Sequence, residues 1–109
     1  MWLKMSDSDI KRMLRAAQDG ETNTVRGCLN SDVSADSQDR HGNRAINHAA
    51  KNGHAEIVHV LIAHGAKVNE MDGVGRIPLI ACAEGDHAHI VDILTAAGAH
   101  IDGTGEGGR

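Results

Sequence analysis

The sequence predicts an all-α solenoid of three stacked helix-turn-helix units joined by short hairpin-like tips. Three observations carry this. A pattern 33 residues long recurs without a gap. Within each copy apolar residues fall at helical spacing, and glycines stand where a helix has to stop.

The recurrence is plainest between residues 39–70 and 72–103. Asp39 falls on Asp72, Gly42 on Gly75, Ala50 on Ala83 and His54 on His87. Ile57-Val58 falls on Ile90-Val91, Leu61 on Leu94, and Gly65-Ala66 on Gly98-Ala99. A fainter copy precedes them: Ala16-Ala17 matches Ala49-Ala50, Gly20 matches Gly53, Val25 matches Val58, and Leu29 matches Ile62. That first copy lacks the Asp-x-x-Gly opening, as a capping repeat tends to. The whole chain, 1–109, thus reads as one domain with units at about 6–38, 39–71 and 72–104. Residues 105–109, GEGGR, lie over DGVGR at 72–76 and read as the opening of a fourth unit or a tail.

In the first unit, Ser6 or Ser8 is placed to cap a helix whose first turn carries Asp7 and Asp9. Ile10, Met13, Leu14 and Ala17 follow at helical spacing, Asp19-Gly20 ends the helix, and Val25, Cys28 and Leu29 form one side of a second. The middle unit predicts helices near 44–51 and 55–64, and the last near 77–84 and 88–97. Gly65 and Gly98 follow the second helices, where a left-handed residue reverses the chain. Helices this short cannot bury an apolar face alone, so stacked neighbours supply the partner surface, and roughly three units are the minimum.

Composition narrows the function. The chain has one aromatic of the Phe, Tyr and Trp type, Trp2, so its core is built from Ala, Ile, Leu, Val and Met. The lack of aromatics argues against modules that stack nucleic-acid bases, and the net charge of −4 carries no basic footprint. The one basic group, Lys11, Arg12 and Arg15, has Asp7, Asp9 and Asp19 around it and reads as a solvated helix face. No apolar run reaches the roughly 20 residues of a membrane span, so a soluble, intracellular, cytoplasmic protein is expected. Cys28 and Cys82 align with Leu61 and Ala49, and read as small buried hydrophobes rather than a disulfide or nucleophile.

The eight histidines do not assemble a metal site on spacing. His59 and His64 are off a common helical face, and His87-x-His89 has only Asp86 nearby as a third ligand. The Gly-rich end lacks the Lys-Ser/Thr of a phosphate loop. No catalytic, cofactor or metal residue is therefore expected, and the chain is not read as an enzyme.

The run Gly53–Asn69, G-H-x-E-I-V-x-x-L-x-x-x-G-A-x-V-N, together with Asp39-x-x-Gly42 and Asp72-x-x-Gly75, resembles the ankyrin repeat, over roughly residues 6–103. The family's Thr-Pro-Leu-His helix opening is poorly kept: Arg44-Ala45-Ile46-Asn47 in the middle unit and Ile77-Pro78-Leu79-Ile80 in the last. The Thr-to-His staple cannot form in either, which predicts an array less stable than the family average. His54 and His87 fall on the inter-helix turn position, where the family's imidazole bridges neighbouring backbone. Asn69 falls on the asparagine that hydroxylases modify in some members.

The resemblance implies a protein-binding module without cofactor, gripping an unidentified partner with its first helices and tips. The family's variable surface positions map here onto Gln38, Arg40, His41, Asn43, His48, Lys51, Asn52, Met71, Val74, Arg76 and Glu84, with Gln18 and Asp19 as an extension. Among them Arg40 and Arg76 are expected to anchor an acidic stretch of the partner. The alternative is a self-associating element. In that reading Ile90, Ile93 and Leu94 leave the C-terminal end apolar and pair it weakly with a second copy.

Overall fold

A computed structural model describes residues 7–100. Six helices run in order: α1 Asp7–Asp19, α2 Thr22–Asn30, α3 Ala45–Lys51, α4 Ala55–Ala63, α5 Pro78–Glu84 and α6 Ala88–Ala96. The four helices of the middle and last units lie within a residue or two of the sequence expectation, the ordinary uncertainty of a helix end. Ser8 lies inside α1 instead of capping it, and Ser6 falls outside the described residues.

The first helices form one layer, α1 on α3 on α5, and the second helices form another, α2 on α4 on α6. The stack measures 43 × 25 × 21 Å. Between the layers runs one continuous aliphatic core. Met13, Val25, Ile46, Ile57, Val58, Leu61, Ile90 and Leu94 are its largest fully buried aliphatic side chains. Small residues let the layers approach: Ala16, Ala17, Ala45, Ala49, Ala50 and Ala81 are all buried. Cys28 and Cys82 are free and buried, Cys82 donating weakly to Leu79 O (3.3 Å), and burial raises the Cys82 thiol pKa.

Where a unit turns between its two helices, the chain needs a left-handed residue. Gly20 (φ +84°) and Gly53 (φ +80°) provide it, and in the last unit Asp86 takes the same position at φ +62°. His54 then packs its ring on Gly20, and Nε2 lies 2.9 Å from Gln18 O in the preceding unit. His87 packs on Gly53 in the same manner.

The tips are hairpin-like, with a single bridge between Gln38 and Arg44. Each is held by an aspartate. Asp39 Oδ1 accepts from His41 N (2.9 Å) and Asn43 N (3.0 Å), and Asp72 Oδ1 accepts from Val74 N (3.0 Å) and Arg76 N (3.0 Å). The two tips stack through Gly73 N donating to Gly42 O (2.9 Å). A side chain at residue 73 would put a Cβ 1.9 Å from His41 O, so only glycine fits there.

The missing Thr-His staple is replaced. Arg44, 4% exposed, pairs with Asp36, whose Oδ1 also accepts from Lys67 N (2.9 Å) in the next unit's connection. Asn47 Nδ2 donates to Arg76 O (2.8 Å), and Asn69 bonds Gly98 O and His100 N (both 3.1 Å). These bonds join one unit to the next, where the family's staple closes a turn within one unit.

Among the described residues, the apolar C-terminal end expected from the sequence is largely absent. Ile90 and Leu94 are fully buried against α5 and α4, and Ile93 is half-buried. The outward side of α6 shows Asp92, Thr95 and Ala96, with Val91 its one large exposed hydrophobic. No helix of the described residues is long and apolar enough to cross a membrane.

Candidate functional site

The residues singled out from the sequence separate into three places. Gln38, Arg40, His41, Met71 and Val74 stand on the tips and their approaches, and all are exposed. Val74 is 69% and Met71 46% exposed, the two most exposed large hydrophobics among the described residues. Asn43, His48, Lys51 and Arg76 line the surface of the first-helix layer beneath the tips. Asn52 and Glu84 stand at the far ends of α3 and α5, both exposed.

Several of these side chains are engaged within the chain. Asn43 Nδ2 donates to Asp39 Oδ2 (2.9 Å), Gln38 Nε2 to Gly42 O (3.0 Å) and Asn52 Nδ2 to His48 O (3.1 Å). Arg76 Nη1 lies 2.6 Å from Glu84 Oε1, and its Nε 3.6 Å from Asp72 Oδ2, so its charge is largely answered internally. Arg40 reaches only Asp7, at 3.8 Å, with both side chains more than two-thirds exposed. Such a contact holds neither group firmly.

The surface of the first-helix layer is hollowed. An open groove of about 800 Å³ lies between α1, the first tip and α3. Ser8, Lys11, Arg15 and Gln18 line it at successive turns of α1, with Arg12 beside them. Glu21 and Thr24, Asp39 and Asn43, and His48 complete the wall, and Leu14 is its one apolar side chain. A smaller hollow continues from it toward α5, sharing Asn43 and His48 and adding Lys51, Asp72 and Arg76. Inside it the buried Asn47 Oδ1 and Arg76 Nε find no hydrogen-bond partner.

Of this groove's α1 wall the sequence pointed only to Gln18. Lys11, Arg12 and Arg15 are exposed, as a solvated face requires, yet that face is the groove's wall. The available signal was the spacing of Ser8, Lys11, Arg15 and Gln18, which places them on one helical stripe.

Electrostatics follow from the packing. Burial works to raise the Asp39 and Asp72 carboxyls, but hydrogen bonds outweigh it and hold both below the ordinary aspartate value. His48 is pushed the other way from a surface imidazole: burial lowers its pKa against the pull of Asp39 and Asp72, helped by Lys51 and Arg76. His87 and His89 meet edge to face with ring centroids 6.3 Å apart, and among the described residues no three His, Cys, Asp or Glu groups converge to hold a metal ion.

Residues 13–104 match the family model described as ankyrin repeats (3 copies). No curated protein matches the chain.

Proposed function

Because this chain belongs to the ankyrin-repeat family, whose members are protein-interaction modules, we propose that it binds a partner protein across its tips and first-helix surface and catalyses no reaction. The observation that carries this is the pair of exposed apolar residues, Val74 and Met71, at a tip stacked on its neighbour, which carries exposed Arg40 and His41. Exposed apolar groups rimmed by charge are the composition of an interface core and its rim. The tip is preorganised by Asp39, Asp72 and Gly73, so little conformational entropy is lost when a partner settles on it.

In this reading Gln38, Arg40, His41, Met71 and Val74 meet the partner at the tips, and Asn43, His48, Lys51, Asn52, Arg76 and Glu84 meet it along the helices. The hydrogen bonds that Asn43, Asn52 and Arg76 already make assign them to shaping the surface as well as touching the partner. Free, buried Cys28 and Cys82 accord with a reducing, intracellular setting.

The test is capture from a lysate with variants on opposite faces. Val74→Asp with Met71→Asp is expected to abolish capture, while His59→Ala with Glu56→Ala, on the exposed side of α4, leaves it intact. Equal capture by both would remove the tips from the interface.

A further inference from the structure

The six arginines of the described residues divide sharply. Arg26, Arg40, Arg44 and Arg76 each have a carboxylate within ion-pair distance. Arg12 and Arg15 have none, and neither does Lys11. These three cations stand together on α1 and all line the groove. Lys11 and Arg15 are four apart on one helix, and Asp7 and Asp19, at the same spacing beyond them, do not line the groove. The groove wall holds two carboxylates, Glu21 and Asp39. Both Asp39 oxygens are already taken by His41 and Asn43, so its charge is spent on the tip.

We infer that this groove seats an acidic segment of the partner protein, with Lys11, Arg12 and Arg15 meeting its carboxylates and Asn43 and His48 forming the floor on which it continues toward Lys51. The inference deepens the protein-binding reading and rests on it. Three features choose this occupant. With Leu14 its one apolar lining residue, the groove offers no seat for the apolar face of an amphipathic helix. A nucleic acid would meet a protein of net charge −4, with no Phe, Tyr or Trp among the lining residues and with Glu21 in its path. A short acidic peptide answers the local positive charge and bypasses the rest of the surface.

The full chain, isotope-labelled for NMR, is titrated with a short peptide of alternating Glu and Ser. A Gln-for-Glu peptide and a single-stranded RNA oligonucleotide are the comparators. The Glu peptide is expected to shift the amide signals of α1 and of Asn43 and His48, more weakly as salt rises, while the comparators leave them in place. The triple variant Lys11→Gln, Arg12→Gln, Arg15→Gln is expected to weaken the Glu peptide about tenfold. These side chains are exposed, so the variant's circular dichroism and melting should match the parent, and Arg15→Gln alone gives a milder version of the same loss. The inference is overturned if the Gln peptide binds as well as the Glu peptide, if the triple variant binds the Glu peptide unchanged, or if RNA binds more tightly than either peptide. Partner capture separates the two readings. A triple variant that still captures the partner when Val74→Asp does not removes the acidic segment and leaves the module. The opposite pattern upholds the groove and removes the tip.

Discussion

At the scale of single residues, two strains are visible and each has a remedy. Asp32 (φ +73°) and Asp86 (φ +62°) occupy left-handed positions whose counterparts in other units are Gly65 (φ +91°) and Gly53 (φ +80°). An L-residue pays roughly 1–2 kcal/mol there, aspartate somewhat less. Asp86→Gly is expected to raise stability by about 1 kcal/mol in urea denaturation; a loss of stability would mean that the Asp86 side chain makes a contact worth more than the strain. Arg44 is the opposite case, a buried cation held by Asp36. Removing its partner leaves that charge uncompensated and also takes the acceptor from Lys67 N. Asp36→Ala is expected to cost about 3 kcal/mol, the low end of the range for a broken buried pair because Asp36 is partly exposed. Arg26→Ala, which breaks a pair with both members exposed, should change stability by less than about 0.5 kcal/mol in the same assay.

At the scale of elements, the units touch closely at the turns between helices as well as at the tips. A Cβ at Gly85 would lie 1.9 Å from Lys51 O, whereas one at Gly65 meets nothing within 4 Å. Gly85→Ala therefore has to push the turn after α5 away from the end of α3. It is expected to cost about 2–3 kcal/mol, against about 1 kcal/mol for Gly65→Ala, where only the positive φ is at stake. Chemical denaturation of the two variants side by side decides this, and equal losses would show that the α3–α5 junction yields. Most of this level was legible in advance. Helix spans followed from apolar spacing, and turns from Gly20, Gly53, Gly65 and Gly98, because local backbone geometry depends on residues close in sequence. Of the two candidates for the cap of α1, Ser8 lies inside the helix and Ser6 falls outside the described residues.

At the scale of the whole molecule, stability comes from stacking, and the bonds between units decide how cooperative it is. Asn47 reaches from α3 to the carbonyl of Arg76, and Asn69 from the end of the second unit to Gly98 and His100. A shared core and such links couple each unit to its neighbour. Unfolding is expected as one transition, coincident by circular dichroism and by hydrogen exchange. Asn47→Ala should move that whole transition down by about 2 kcal/mol, leaving Arg76 O without its donor, and should not split it. Two separate transitions would show that the units fold independently.

The sequence by itself determined the period, the number of units, the helices and the identity of the core, because each repeat places the same residue type in the same environment and repetition makes that environment readable. It also placed the tips, since Asp39-x-x-Gly42 and Asp72-x-x-Gly75 close turns with their own side chains. Tertiary structure alone decided which charges are spent and which are left over. Asp36 meets Arg44 and Lys67, and Arg76 meets Glu84, across distances that no local pattern encodes. It also turned Ile90 and Leu94 inward and left Lys11, Arg12 and Arg15 along a groove. The physical reason is that burial and pairing depend on the neighbouring unit, and a one-dimensional pattern reports a residue's spacing but not the surface stacked against it.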